Sequence, residues 1–369
     1  MRTVLPTVID TLSQGRSLVL STVVKVERRA PRGAGAAMVV DNEGRVTGSL
    51  SGGCIEPAII QESQEVLASG TPRLRTFGIS DEQAFDVGLS CGGTVHVLME
   101  PLYPPLEEGP SAEGKVQHRS SSPEPLLRSL QEALEAETPV ALVTAVDGPW
   151  ARAGMMLVVD GEGRITGTTG DASRDAALAA LAKGHIGLGS TGTASVEGGT
   201  VLIQAFAPPP RLYIIGAVHP AAALATAGRF LGYRVIVCDP RSPFATPERL
   251  PDAHEIVKEW PDQYLARVAP QPRDAVCVLT HDLKFDVPAL ATALASTAGY
   301  IGAMGSRRTH ERRMAALRDQ GIAEEDLARI SSPIGLDIGA VTPEEIAVAI
   351  AAEMVAVRRR QETKLASTS

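Results

Sequence analysis

The sequence predicts an α/β protein in two parts: a C-terminal Rossmann-like domain with a parallel sheet, preceded by an α+β domain built from two degenerate repeats. Three observations predict it. After Pro208-Pro209-Pro210, short apolar runs alternate with helix-length segments, the pattern of a parallel sheet covered by helices. Ahead of that break, VVDNEGRVTGSLSGGC from Val39 to Cys54 returns as VVDGEGRITGTTGDAS from Val158 to Ser173, and GGTVHVLMEP from Gly92 returns as GGTVLIQAFAP from Gly198. Between the copies, residues 102–125 are rich in Pro, Ser and Glu without apolar periodicity and read as a flexible linker. The expected bounds are therefore 1–208 for the first domain, with half-repeats 1–101 and 126–208, and 211–369 for the second.

Taken in order, each half-repeat opens on a β-branched run, Leu18 to Val26 or Val140 to Val146. A turn follows at Asn42-Glu43-Gly44 or Gly161-Glu162-Gly163, then a helix-prone Ala/Glu/Leu segment and a closing strand. The copies differ where chemistry would sit: Cys54 faces Ser173, and Cys91 aligns with Glu197. The second domain begins with the strand RLYIIGA, an Ala-rich helix to Leu231 and the strand RVIVCDP. Further strands are expected at Ala275 to Leu279, Tyr300 to Ala303 and Ala328 to Ser332. The last helix starts at Thr342-Pro343-Glu344-Glu345, with Thr as cap, Pro in the first turn and Glu345 closing a capping box.

A chain of 369 residues exceeds what one core usually serves, and 44% apolar with 21% charged residues describes an ordinary globular composition. The net charge of −8 argues against non-specific nucleic-acid binding, which needs a dense cationic face to displace phosphate counterions. Met1 to Ser21 lack the features of a secretory signal, and no apolar run is long enough to span a membrane, so the expected location is the cytoplasm. Four cysteines (Cys54, Cys91, Cys238, Cys277), none in a CxxC pair, do not make a disulfide scaffold; a special cysteine here is chemical.

Four segments are candidates for function. Gly216-Ala217-Val218 follows the first Rossmann strand, and Asp239 ends the next, the places of a dinucleotide fingerprint. Val218 takes the position of the glycine that admits a pyrophosphate, which weakens NAD(P) binding in the standard pose. Gly302-Ala303-Met304-Gly305-Ser306-Arg307-Arg308 follows a strand and opens a helix, where free N–H groups and guanidinium groups suit an anion; Gly305, Ser306 and Arg307 are its candidates. His281 with Asp282 or Asp286, past another strand end, could move a proton or ligate a metal, with His281 and Asp282 as catalytic candidates. In the first half-repeat Gly52, Gly53, Cys54 and Glu56 mirror Cys91 and Gly92. Glycines there let a ligand approach the backbone, and a thiol suits a soft metal or sulfur transfer.

With these residues in hand, the chain resembles the XdhC/CoxI family of accessory proteins for molybdenum hydroxylases such as xanthine dehydrogenase. The resemblance is carried by GSLSGGCIEPAI, SCGGTVHVLMEP, and the run from YIGAMGSRRTHERRMAALRDQGI through ISSPIGLDIGAVTPEEIAVAIAAEMVAVRR. Ala30-Pro31-Arg32 with Gly35 and Met38 looks like the family's early Pro-Arg loop. The resemblance implies a carrier that binds molybdenum cofactor of the molybdopterin type and delivers it to a hydroxylase. It implies Cys54 and Cys91 as candidate cofactor contacts, one or the other touching molybdenum. It also implies the hydroxylase and a sulfurtransferase as partners, and a homodimer. The chain departs from the family pattern at Val218 and at Leu283, where a second His often follows the His-Asp pair. An enzyme reading, a nucleotide-dependent oxidoreductase or a cofactor-modifying transferase using the Rossmann crevice, is the alternative.

Overall fold

The computed structural model describes residues 1–28, 30–78, 93–104, 122–152 and 154–368. It divides into two units, Met1–Ala207 joined by the chain's last residues from Leu365, and Pro208–Lys364.

The first unit repeats one plan twice. Helix α1 (Leu5–Ser13) precedes β1 (Leu18–Glu27), β2 (Ala37–Asp41), β3 (Val46–Gly48), α2 (Glu56–Ser69), β4 (Arg73–Phe77) and β5 (Thr94–Leu102). Helix α3 (Glu124–Glu135) then precedes β6 (Val140–Asp147), β7 (Met156–Asp160), β8 (Ile165–Thr166), α4 (Ala172–Leu188), β9 (Thr191–Val196) and β10 (Gly199–Phe206). Two antiparallel sheets result, ordered β3-β2-β1-β5-β4 and β8-β7-β6-β10-β9. The sequence repeat is clearest at the turn after β2 and β7 because one carboxylate builds it. Asp41 accepts from the amides of Glu43 and Arg45, both at 2.9 Å, and Asp160 accepts from those of Glu162 and Arg164 at the same distance.

Helices α1 and α3 are structure that the sequence pattern did not reveal. Helix α3 starts at Glu124, inside the stretch read as linker, because Pro125 fits a helical first turn, where its missing N–H leaves nothing unpaired. Residues 105–121 lie outside the described part. Leu5, Val8, Ile9 and Leu12 of α1 and Leu127 and Leu130 of α3 meet in one core with Leu18, Leu20, Val140, Leu142 and Val158. The two halves thus share a hydrophobic interior and make one domain.

A second tie crosses between the halves. Leu18 pairs with Leu102 and Val140 with Phe206, so Glu100 and Gln204 stand at equivalent places on β5 and β10. The Gln204 side-chain amide donates to the carbonyl of Gly35 in the first half at 3.1 Å, and the amide of Gly154 in the second half donates to the Glu100 carboxyl. Glu100 is 1% exposed, and its Oε2 has no partner among the described residues. Burial pushes its carboxyl pKa up to about 8, against which the Gly154 amide acts only weakly.

The second unit is a six-stranded parallel sheet ordered β13-β12-β11-β14-β15-β16. Its elements are β11 (Arg211–Ile215), α5 (His219–Phe230), β12 (Arg234–Cys238), β13 (Glu255–Val257), α6 (Pro261–Val268), β14 (Ala275–Val278), α7 (Leu283–Ala295), β15 (Tyr300–Ala303), α8 (Arg307–Asp319), α9 (Glu324–Leu327), β16 (Ile330–Ser331) and α10 (Pro343–Thr368). Every strand pair is parallel, and apolar clusters cover both faces, so the strands read as unbroken apolar runs. The chain's order reverses across β11, between β12 and β14, and the segments past the carboxyl ends of those strands are where such sheets hold ligands. The α10 capping box forms as expected, Glu345 accepting from the Thr342 amide and Thr342 Oγ1 from the Glu345 amide.

Because the folded chain favours the neutral Glu100 carboxyl, its stabilising contribution is complete below the ordinary carboxylate pKa and is lost as pH rises through about 8. Glu100→Gln keeps an acceptor for the Gly154 amide and removes this loss. Its advantage in Tm over the parent chain should grow with pH, to on the order of 5 °C at pH 8. A pH-independent difference in calorimetric scans between pH 5 and 8 would contradict the assignment.

Candidate functional site

The thiol loop of the first unit runs from Gly48 at the end of β3 to Ile55, which caps α2. Its shape comes from Glu56, the first residue of α2. That carboxylate accepts from the amides of Leu50 (3.0 Å), Ser51 (2.9 Å), Gly52 (3.1 Å) and Gly53 (2.9 Å), and from the hydroxyls of Ser49 (2.8 Å) and Ser51 (2.6 Å). Burial works to raise the Glu56 pKa, but the hydrogen bonds from Ser51, Ser49 and Leu50 together outweigh it and hold the carboxyl far below its usual range. Ser51 Oγ in turn accepts from the amides of Cys54 (3.0 Å) and Ile55 (3.1 Å), and Arg32 of the early Pro-Arg loop donates to the Ser49 carbonyl at 3.0 Å.

Sequence reasoning placed Gly52, Gly53, Cys54 and Glu56 together, and the fold does so. What it missed is that the loop's amides point inward, onto Glu56, rather than toward a ligand. Gly52 and Gly53 adopt φ of 83° and 120°, and a Cβ on either would meet nothing within 4 Å. The open side of the loop is its Cα side. Cys54 beside it is half-buried and carries a free thiol, packed at the margin of the first half's core. Cys91 and Gly92 lie outside the described residues.

The second half keeps the loop and drops the thiol. Asp175, aligned with Glu56, accepts from the Thr168 hydroxyl (2.6 Å) and from the amide (2.8 Å) and hydroxyl (2.6 Å) of Thr169. Ser173 stands in the place of Cys54. The next residue, Arg174, lies 4.9 Å over the Trp150 ring and pairs with Glu197 at 2.8 Å, closing that end of the sheet.

In the second unit, the fingerprint residues serve their own fold. Gly216 has φ of 104°, and a Cβ there would stand 2.3 Å from the Thr280 methyl, so glycine is required by close packing whether or not a phosphate binds. Asp239, 1% exposed, accepts from the Ala217 amide (2.7 Å), the Arg241 amide (2.9 Å) and the Arg241 guanidinium (2.7 and 2.9 Å). Burial raises its pKa and these bonds, Arg241 foremost, bring it below the ordinary value. Its carboxylate is committed within the chain, where the fingerprint would have it hold a ribose.

The other candidates separate into an anchor and exposed groups. Asp286, named beside His281 as a metal or proton group, is fully buried. It takes the Thr280 hydroxyl and the guanidinium of Arg313, itself fully buried, whose Nε lies at 2.8 Å. Arg313 also donates to the carbonyls of Met304 (2.6 Å) and Thr280 (2.9 Å), tying together the segments past β14 and β15. Asp282 caps α7 by accepting from the Lys284 amide at 3.0 Å, and His281 is exposed, with no hydrogen bond or ion pair among the described residues. Gly305 precedes Ser306, which caps α8 by accepting from the Thr309 amide, and Arg307 and Arg308 are exposed at that helix start. Among the described residues no three His, Cys, Asp or Glu side chains gather as a metal site.

The family model described as "XdhC and CoxI family" matches residues 11–78, which include the thiol loop, and "XdhC Rossmann domain" matches 212–354. The chain belongs to the XdhC and CoxI family. Among relatives, it is 28% identical to a Bacillus subtilis protein named as a probable xanthine dehydrogenase subunit, over 96% of this chain and 97% of that one. It is also 28% identical to "Molybdenum cofactor insertion chaperone PaoD" of Escherichia coli, over 98% and 90%. A crystal structure described as a xanthine dehydrogenase from Bacillus halodurans superposes with a TM-score of 0.59 at 25% identity, covering 96% of this chain and 95% of that one. No helix among the described residues is long and apolar enough to cross a membrane.

Two substitutions probe the anchors of this XdhC-type chain. Glu56→Ala should strip hydrogen-exchange protection from the amides of Leu50 to Gly53 while α2 stays protected; retained protection at those four amides would show that Glu56 is not what orders the loop. Arg313→Ala leaves the Asp286 charge buried without its partner and should cost about 3–5 kcal/mol in urea unfolding, whereas Arg313→Met with Asp286→Leu should recover most of that.

Proposed function

We propose that this chain binds molybdenum cofactor as cargo and delivers it to a molybdenum hydroxylase such as xanthine dehydrogenase. The observation that carries the reading is the asymmetry between the two halves. One turn is built twice on one carboxylate device, and only the first copy presents a thiol, beside glycines whose Cα side is open. A half-buried thiol against open space fits a metal that takes sulfur ligands, and among the described residues no three His, Cys, Asp or Glu side chains gather as a site for a harder ion. Molybdenum cofactor would bring a metal centre that accepts sulfur ligands to that thiol. The names of the two full-length relatives, one a cofactor insertion chaperone and one a probable xanthine dehydrogenase subunit, support the same reading.

Within it, each residue has a defined task. Cys54 offers the sulfur ligand, with Cys91 as the second. Glu56 keeps the loop fixed by occupying its amides, so that cargo meets the Cα face of Gly52 and Gly53 and does not compete for N–H groups. Within the second unit, the N-terminus of α8 with Gly305, Ser306 and Arg307 offers amides and a guanidinium to an anion, a role separate from that of the thiol loop. Cargo held by a thiolate and released to an apo-enzyme requires no turnover by the chain itself.

The test is anaerobic purification from cells that make the cofactor, followed by metal and pterin analysis. The parent chain should carry molybdenum and pterin, and Cys54→Ser should carry at least about tenfold less at unchanged Tm, since even indirect support of a metal ligand is worth about that much. Equal loading of both, with equal activation of an apo-hydroxylase, would sink the thiol assignment.

A further inference from the structure

One side of helix α10 is apolar and is not used by the core of the second unit. Of residues 346–357 only Glu353 is polar, and its carboxylate is turned into the domain, where it accepts from the Tyr300 hydroxyl and the Gly335 amide. Ala347, Ile350 and Met354 lie in the core, with Ile346 and Val357 packed against it. Val348, Ala351, Ala352 and Val355 face the opposite way, at the three- and four-residue spacing of one helix face. They belong to no apolar cluster among the described residues.

A surface helix ordinarily turns charged or polar side chains to water, and a helix that is apolar all round is ordinarily buried. Helix α10 does neither: Val348 is 58% exposed, and Ala351, Ala352 and Val355 are half-buried. A contiguous apolar face on an ordered element marks a contact surface, and the charges at its two ends say what it contacts. Glu344, four residues before Val348, is exposed and has no hydrogen bond or ion pair among the described residues. Arg359, four residues after Val355, has a side chain 67% exposed, with one guanidinium nitrogen held by Glu362 at 2.6 Å. The two ends stand roughly 22 Å apart along the axis and carry opposite charge.

The face therefore reads the same from either end except for the sign of its charge: acid, valine, two alanines, valine, base. A half-turn about a point between Ala351 and Ala352 sets Glu344 against Arg359, Val348 against Val355, and Ala351 against Ala352. Such a face is complementary to itself, which is the condition for an isologous contact. A partner of uniform charge would be repelled at one end. The paired alanines let two helix axes approach to about 8 Å, the near limit of helix packing. We propose that α10 takes α10 of a second copy of this chain across this face, antiparallel and in this register. The apolar stripe supplies the affinity, and the charges fix the register. The proposal does not rest on the cargo reading, since it uses neither the thiol loop nor the start of α8.

Sedimentation of the full-length chain over a range of concentrations should show a monomer–dimer equilibrium. Val348→Asp sets a carboxylate against apolar surface at both symmetry-related contacts and should raise the dimer Kd at least about a hundredfold. Its side chain is exposed, so the thermal melt of the monomer should not move. Glu344→Arg alone, or Arg359→Glu alone, creates two like-charge contacts per dimer and should raise the Kd about tenfold. An equimolar mixture of those two variants should regain the parental Kd, because the mixed dimer has opposite charges at both contacts. A parent chain that stays monomeric at every concentration, a Kd that Val348→Asp leaves unmoved, or a mixture no tighter than its two components would each overturn the proposal.

Discussion

Backbone amides at a turn must find an acceptor, and in this protein the acceptor is repeatedly one of its own carboxylates. Glu56 gathers four consecutive amides of the thiol loop, and Asp175 does the lesser equivalent in the second half. Asp41 and Asp160 build the matched turns, and Asp239 holds the glycine turn of the parallel sheet. The thiol loop and the Gly216 turn, which look in sequence like cradles for an external group, are therefore already filled. What this device leaves over in the thiol loop is a thiol and the Cα faces of two glycines.

This arrangement also separates what was readable in the sequence from what was not. The repeat was legible because the Asp-x-Glu-Gly turns and the loop glycines are fixed in spacing by their own hydrogen bonds. The parallel sheet was legible because strands buried on both faces cannot carry polar residues. The helices α1 and α3 escaped, the latter because Pro and Glu that favour a helix start also resemble linker composition. The exchange of Glu100 and Gln204 escaped because the hairpins of the two halves differ by two residues, so aligning GGTV at one end pairs Gln204 with Leu98.

Of the candidate residues, those adjacent in sequence came together in space, and those assigned a role by fingerprint have partners within their own domain. Cys54, Gly52, Gly53 and Glu56 form one loop. Asp239 and Gly216 have the positions of nucleotide-binding residues, but each is explained by a contact inside the domain, with Arg241 and with Thr280. No local pattern announced Arg313, because its partner Asp286 is 27 positions away and only the sheet brings them together.

The interior shared by α1 and α3 has a bearing on when the thiol loop can exist at all. Its cluster draws on residues from Met1 to Val158, and each half lends a side chain to the other's glycine. A nascent chain ending after β5 would expose that apolar surface and lack half of its contacts, so folding waits for β6 to β10 to leave the ribosome. The half without that cysteine thus conditions when the half that carries it can become ordered, and an incompletely synthesised chain presents no ordered thiol loop.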